Sequence, residues 1–378
     1  MSFPQDPMPA DAEHTPSQGR SQRLRRPVFL GTEPSSAAYA ETLSELMALA
    51  QDTDGSAVTS LLILKPAADA AGLPGGGSTL ALWELLATLG AADLTAARVV
   101  EPHLDAQAIL SQAALLPPEE GGGGMDFGAG TWGVYAAEAP GMALQATEHD
   151  GAWQLSGRKP WCSLADQLDY AVVTAHTGEG NRRAFAVDLR EPGVQSAEGL
   201  WISRGLAAVD SRPVDFSGVP ALPIGGDNWY LERDGFAWGG IGVAAVWYGG
   251  AVAVARRLFL ASRQRTPDQI AHALLGSADL SLQAAARMLA AAAADVDAGR
   301  ASGQDGALLA QRVRGVVADT VERVLAAAAH GLGPGPLTAE EEHARRVADL
   351  QVYLRQHHAE RDQASLGRML LARSGEPW

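Results

Sequence analysis

Residues from about 131 to 225 read as a run of short strands, with helical periodicity before and after them. This order constrains the fold more than any other feature of the chain. Trp153-Gln154-Leu155 starts one strand, and Phe185, Val187 and Leu189 alternate with their neighbours in another, after a turn at Gly178-Glu179-Gly180-Asn181. Pro192-Gly193 ends that second strand. Alternation bounded by glycine, proline and asparagine is the pattern of a small antiparallel β-domain. No helical segments are interleaved with the strands, which argues against a doubly wound nucleotide-binding sheet.

The flanks are helical. From Ala37 to about Gln112, Leu43, Leu46, Met47 and Leu49 mark one segment. Leu80, Trp83, Leu86, Leu89 and Leu94 mark the next, mostly at three-residue spacing. Gly72 to Gly77 separates the two, and Ser78 is available as an N-cap. From about Phe236 the chain is alanine-rich, with long helices expected over 236–263, 267–298 and 341–373. A fourth carries Leu309, Val313, Val317, Val321 and Val324 on one face and meets Gly331 as a candidate C-cap. Four helices with one apolar face each should pack as a bundle. The expected class is α+β, divided as a tail over 1–34, a helical domain over 35–125, a β-domain over 126–230 and a four-helix bundle over 231–378.

Composition removes several functions. The formal charge of −15 disfavours general binding to nucleic acid or to an anionic membrane surface. Arg23, Arg25 and Arg26 form only a small basic patch, read as part of a solvated tail. Cys162 is the sole cysteine, so an intrachain disulfide and a cysteine-based zinc site are excluded, and a cytoplasmic setting is expected. No uninterrupted apolar run reads as a membrane span, and no apolar leader precedes Arg20. Gly121 to Gly124 lack the Gly-Lys-Ser/Thr that a phosphate cradle needs, and a connector is the better reading.

The stretch Gly157-Arg158-Lys159-Pro160-Trp161-Cys162-Ser163-Leu164-Ala165, followed by Tyr170-Ala171-Val172-Val173-Thr174-Ala175, reads as strand, aromatic turn and strand. Trp161 offers an aromatic wall and Ser163 a hydroxyl two residues on, expected on the same side of a strand. This pattern resembles the flavin-contacting segment of the acyl-CoA dehydrogenase family, and the order of helices, β-domain and bundle resembles that family after residue 35. Gly130-Thr131-Trp132 through Glu138 is similar to its strand before the flavin loop, where Tyr135 and Ala137 would border the cofactor. Arg265 stands where the family places an arginine on the flavin dinucleotide. Ala329-His330-Gly331-Leu332-Gly333 resembles the glycine turn that receives the dinucleotide's far end across a dimer interface. The resemblance implies FAD, a homodimer or homotetramer and an electron-transfer partner.

The chain departs from the family at its chemistry. Ala136-Ala137-Glu138-Ala139-Pro140-Gly141-Met142 stands where the family reads Thr-Glu-Pro and Gly-Ser-Asp, so a hydroxyl is lost at Ala137 and a serine at Met142. The family's glutamate base falls at His357, eight residues after Asp349. The alternative position, around Gly242 to Ala245, has no carboxylate between Gly235 and Ala255. On a continuous helix Asp349, Tyr353, His357 and Arg361 would share one face, with Glu360 beside them. A histidine one turn from a carboxylate can act as a general base near neutral pH. The bland alternative is a polar seam within the bundle or between subunits.

Three functions are compatible with these residues. The first is an FAD-dependent oxidoreductase acting on a CH–CH bond of an acyl thioester, with His357 and Glu360 replacing the usual base. The second is a flavin-dependent monooxygenase on the same fold. The third is a non-catalytic, flavin-binding descendant.

Overall fold

The computed structural model describes residues 26–31, 35–117, 130–178, 180–264, 266–376 and 378. Arg23, Arg25, Gly121 to Gly124 and Arg265 lie outside the described residues. The N-terminal block consists of α1 (Ala37–Asp52), α2 (Ala57–Ser60), α3 (Leu64–Ala70), α4 (Thr79–Ala92) and α5 (Leu94–Ala113). Two of these starts follow directly from local sequence. The Ser36 side chain accepts from Tyr39 N at the head of α1, and Asp93 accepts from Ala96 N at the head of α5.

The head of α4 is capped differently from the sequence expectation. Ser78 sits at the cap position but makes no side-chain cap bond. The cap comes from Asp297, the last residue of α8 (Gln269–Asp297), whose carboxylate accepts from Gly77 N at 3.1 Å, Thr79 N at 3.1 Å and Thr79 Oγ1 at 2.6 Å. A carboxylate at a helix N-terminus also meets the positive end of the helix dipole.

The β-domain holds β1 (Trp132–Tyr135), β2 (Leu144–His149), β3 (Ala152–Lys159), β4 (Tyr170–Gly178), β5 (Asn181–Asp188), β6 (Val194–Ser196) and β7 (Val214–Ile224). Strand β5 pairs with both β4 and β7, so the path β4–β2–β3–β7–β5 closes on itself as a barrel. Closure removes the exposed edges that an open sheet of this size would present. Strand β1 lies outside the ring, parallel to β4, with Trp132 opposite Tyr170 and Tyr135 opposite Val173. Inward residues such as Leu155, Val173, Phe185 and Val214 are fully buried.

After the short α6 (Trp229–Glu232) come α7 (Asp234–Gln264), α8, α9 (Gly303–Leu332), α10 (Gly335–Ala339), α11 (Glu341–Tyr353) and α12 (Glu360–Leu371). Val313, Val317, Val321 and Val324 form the buried face of α9. Its C-cap is Gly333, at φ +66°, two residues beyond the expected Gly331. By length and composition α7 could cross a membrane, contrary to the reading of the sequence. Most of its apolar stretch is buried within the protein as a core helix. It packs against α4 at two glycines. A Cβ at Gly90 would lie 2.3 Å from Val246 O, and one at Gly249 would lie 1.9 Å from Ala87 O. The two helices therefore touch backbone to backbone, which joins the N-terminal block to the bundle in one apolar core.

The expected final helix over 341–373 is broken. After Tyr353 the chain makes a 3₁₀ turn at Leu354–Gln356, His357 is extended, and Ala359 has φ +48°. Side chains stabilise the break. Arg314 of α9 donates to Gln356 O at 3.0 Å, and Asp362 accepts from His358 N at 3.0 Å. The backbone groups released by the interruption are thus partnered.

Candidate functional site

Strand β3 ends at Lys159, and the chain turns at once. Trp161 takes φ +58° and Leu164 φ +59°, uncommon conformations for residues with a Cβ. Trp161 is 57% exposed while Ser163 is 8% exposed. The expectation that both share one side of a strand is therefore corrected: they lie on a turn, with the indole outward and the hydroxyl inward. A large aromatic held in water on a strained backbone does nothing for the core of its own chain, and strain of this kind clusters at ligand sites.

Beneath the indole, polar groups converge on Ser163. Tyr135 OH donates to Ser163 O at 2.9 Å, and the Ser163 and Ser211 hydroxyls are 2.8 Å apart. Ser211 lies in the loop between β6 and β7. Asp349 of α11 anchors that loop by accepting from Leu206 N at 2.5 Å. Burial pushes the Asp349 carboxyl up to about 6. The loop after β1 is anchored too. Glu138 receives the buried Lys159 ammonium at 2.7 Å, and Lys159 also donates to Thr174 Oγ1 at 2.9 Å. Ala137 in this loop is exposed, and Met142 N donates to Ala139 O to close a tight turn. Cys162, beside these groups, is buried, and desolvation raises its thiol to about 12, so it is no nucleophile.

Arg98 of α5 connects Ser163 to a second region. Its Nη2 donates to Ser163 Oγ at 3.2 Å, and its Nη1 lies 3.5 Å from Glu101 Oε2. Tyr353 OH donates to the same Glu101 oxygen at 3.1 Å, and its ring lies under the Arg98 guanidinium. Glu101 in turn lines a narrow cleft of about 50 Å³, partly open to solvent, between α4, α5, α7 and the segment 71–74. Trp83, Leu86, Leu104 and Trp238 make most of its wall. Asp105, one turn after Glu101, is its other carboxylate and is 3.8 Å from Arg233. Gly239 of α7 faces Asp105, where a Cβ would stand 3.0 Å from Oδ1, and Gly242 faces Leu86 and Trp83.

The electrostatics of Glu101 follow from this packing. Burial pushes its carboxyl up to about 7. Arg98 opposes that rise, Asp105 adds to it, and Tyr353 and Arg314 oppose it. A carboxyl in that range can hold or release a proton near neutrality.

The expected base is arranged otherwise. His357 is buried, but its Nδ1 accepts from Ala359 N at 3.3 Å and its Nε2 is 3.8 Å from Asp362. Desolvation lowers its pKa, with Asp362 opposing. Glu360, the expected carboxylate partner, is exposed at the start of α12, because the break after Tyr353 removes the shared helix face. Asp362 takes that place, facing both His357 and His358. The glycines also stand apart. Gly331 is seventeen residues beyond Arg314 on α9, about 25 Å by helical rise. A Cβ there would meet Leu258 of the same chain at 2.7 Å.

Solved structures similar to this one share its architecture almost end to end. FMN-bound TdsC from Paenibacillus sp. A11-2, a dibenzothiophene monooxygenase, matches with a TM-score of 0.72 at 17% identity, covering 90% of this chain and 99% of that one. KijD3, in complex with FMN and a dTDP-linked amino sugar, matches at 0.73 and 18% identity, covering 92% and 97%. Butyryl-CoA dehydrogenase from Megasphaera elsdenii matches at 0.71 and 18% identity, covering 88% and 98%. The chain has the acyl-CoA dehydrogenase fold. No protein-family model and no curated protein sequence matches it. At these identities the acyl-CoA dehydrogenase likeness carries architecture and not chemistry.

Of the residues picked out from sequence, the structure brings Tyr135, Trp161 and Ser163 together and sets Ala137 in the anchored loop after Tyr135. Arg98, Glu101, Asp105 and Ser211 were missed. The available signal was the Glu101–Asp105 pair, four apart on a helix whose other residues are mostly apolar. Such a pair reads as a solvated face until α7 is packed over it.

Proposed function

We propose that this chain is a flavin-dependent oxidoreductase whose small-molecule substrate occupies the cleft between α4, α5 and α7. The observation that carries the reading is the Trp161 turn, an outward indole beside a buried Ser163 that Arg98 links to Glu101 in the cleft. These residues fit a flavin. Trp161 would cover an apolar ring face, and Ser163, Tyr135 and the Ala137 loop would border its polar edge. When bound, the flavin supplies acceptance or donation of two electrons. The chain's own residues supply the rest: an aromatic wall, two anchored loops and a mostly apolar cleft that holds the buried carboxyls of Glu101 and Asp105.

FAD is the form the resemblance implies, whereas TdsC and KijD3 are complexes with FMN. Packing of Gly331 against Leu258 of its own chain supports the mononucleotide, since that glycine already has an internal steric reason to be glycine. Chromatography of the released cofactor separates the two. A homodimer or homotetramer and a separate electron-transfer partner belong to the same proposal.

Two chemistries remain, oxidation of an acyl thioester and oxygenation of an apolar substrate. The second is favoured by one feature: residues 235–255 of α7 hold no carboxylate, and His357 stands where the resemblance would place the other. The test is absorbance of the purified protein with FMN or FAD. Anaerobic bleaching by butyryl-CoA supports thioester oxidation. Oxygen-dependent turnover of indole with a flavin reductase supports oxygenation. A protein that takes up neither flavin refutes the proposal.

A further inference from the structure

Glu101 occupies a position that neither the flavin reading nor the fold requires. It faces a cleft walled by tryptophan and leucine, its side chain is 12% exposed, and that exposure belongs to the residue lining the cleft. Every group facing it favours a carboxyl that is held in place yet able to change its protonation. On its own helix, Arg98 is 3.5 Å away and Asp105 stands one turn further. From α11, Tyr353 OH donates to Oε2 at 3.1 Å. From α9, the half-buried Arg314 adds positive potential while donating to Gly240 O and Gln356 O. Gly239 and Gly242 of α7 line the same cleft without side chains. Tyr353 and Arg98 both engage the same Glu101 oxygen, Oε2.

We propose that Glu101 is the acid–base residue of this cleft, taking a proton from the bound substrate. The proposal rests on the cleft being the substrate site of the flavin enzyme described above. In the step, a substrate N–H, O–H or acidified C–H bond breaks and an O–H bond forms on Glu101. The electron pair stays on the substrate, so nothing is oxidised in that transfer. The carboxylate becomes a neutral acid, which the apolar walls favour, and Arg98 and Tyr353 hold it in place as positioning residues. Arg98 also touches Ser163, so Glu101 is coupled through one guanidinium to the turn that carries Trp161.

The test needs neither cofactor nor known substrate. Dicyclohexylcarbodiimide, an apolar reagent, adds to protonated carboxyls; the acid O–H adds across its C=N bond to give an O-acylisourea, whose acyl group migrates to nitrogen in an apolar site and leaves a stable N-acylurea mass increment. Treated as the full chain at pH 6, Glu101 is expected to carry the label by peptide mass spectrometry. Labelling should fall about tenfold by pH 8, because a group titrating near 7 goes from about nine-tenths to one-tenth protonated. Tyr353→Phe, which removes a donor to the ionised form, should move the labelling midpoint to higher pH. Absence of label at Glu101, or equal labelling at both pH values, overturns the proposal. In flavin-loaded chain, Glu101→Gln should lose the kcat/KM limb near pH 7 and fall about 10²- to 10⁴-fold, with Glu101→Asp keeping the limb. Retention of that limb by Glu101→Gln also overturns it. Labelling as expected in a chain that takes up no flavin refutes only the flavin reading.

Discussion

Glu101→Gln should make the protein more stable, and the gain should grow with pH. The carboxyl rises from 4.5 when unfolded to about 7 when folded, chiefly by burial. An acid whose folded pKa is raised binds more protons folded than unfolded between those values. Stability is therefore lost as pH climbs through that window and stays lost above it. At pH 8 the penalty of holding Glu101 ionised is about 3 kcal/mol, at about 1.4 kcal/mol per pKa unit. At pH 5 only the start of the window has been crossed, and the penalty is about 1 kcal/mol. Glutamine imitates the neutral acid and can still accept from Tyr353 OH. Any change in packing or in the Arg98 contact is a constant offset. The stability difference, variant minus wild type, should thus widen by about 2 kcal/mol between pH 5 and pH 8. Urea unfolding followed by tryptophan fluorescence at both pH values, at fixed salt, measures it. A difference constant within about 0.5 kcal/mol would mean that Glu101 is not neutral in the folded state near pH 6, and the electrostatic argument fails.

Trp161→Ala should leave urea stability within about 0.5 kcal/mol, as expected of an exposed side chain, while weakening flavin binding by about tenfold or more; titration of flavin fluorescence tests both parts of the argument. Asp349→Ala leaves the Leu206 N–H buried without its acceptor and should cost about 1–3 kcal/mol, with Asp349→Asn recovering most of it, by thermal or urea unfolding. Gly249→Ala drives a Cβ into Ala87 O and should destabilise by about 1–3 kcal/mol or more, because two helix backbones would have to separate; calorimetry gives the value. Cys162 should resist iodoacetamide in the native protein and react only after global unfolding, since its thiol is both buried and raised to about 12.

The architecture was legible because its signals are repetitive. The valines of α9 recur over several turns, and the short strands between Trp132 and Ile224 are each bounded by turn residues, so errors at single positions hardly matter. The site depended on single positions. Trp161 and Ser163 were given strand geometry, because nothing local announces that Trp161 takes φ +58°. His357 was placed on a helix that ends at Tyr353; the interruption depends on Arg314 reaching Gln356 O from forty-two residues away. Glu101 was missed for a similar reason. A glutamate between Val100 and Pro102 gives no hint of burial, and its environment is assembled from Tyr353, Arg314 and the bare face of α7.

The capping of α4 by Asp297 sets an order of events during synthesis. Helix α4 is nearly all apolar, and the carboxylate that terminates its free N–H groups is 218 residues downstream of Thr79. Its principal packing partner, α7, does not begin until Asp234. The barrel, by contrast, closes with strands that all lie between Trp132 and Ile224. On the ribosome the β-domain can complete its pairing while α4 still lacks both its cap and its packing surface. The first helices made are then among the last to be secured, and an exposed α4 is the segment that chaperones would be expected to hold. Pulsed hydrogen exchange on nascent chains stalled before and after residue 297 would show protection of α4 appearing only in the longer one.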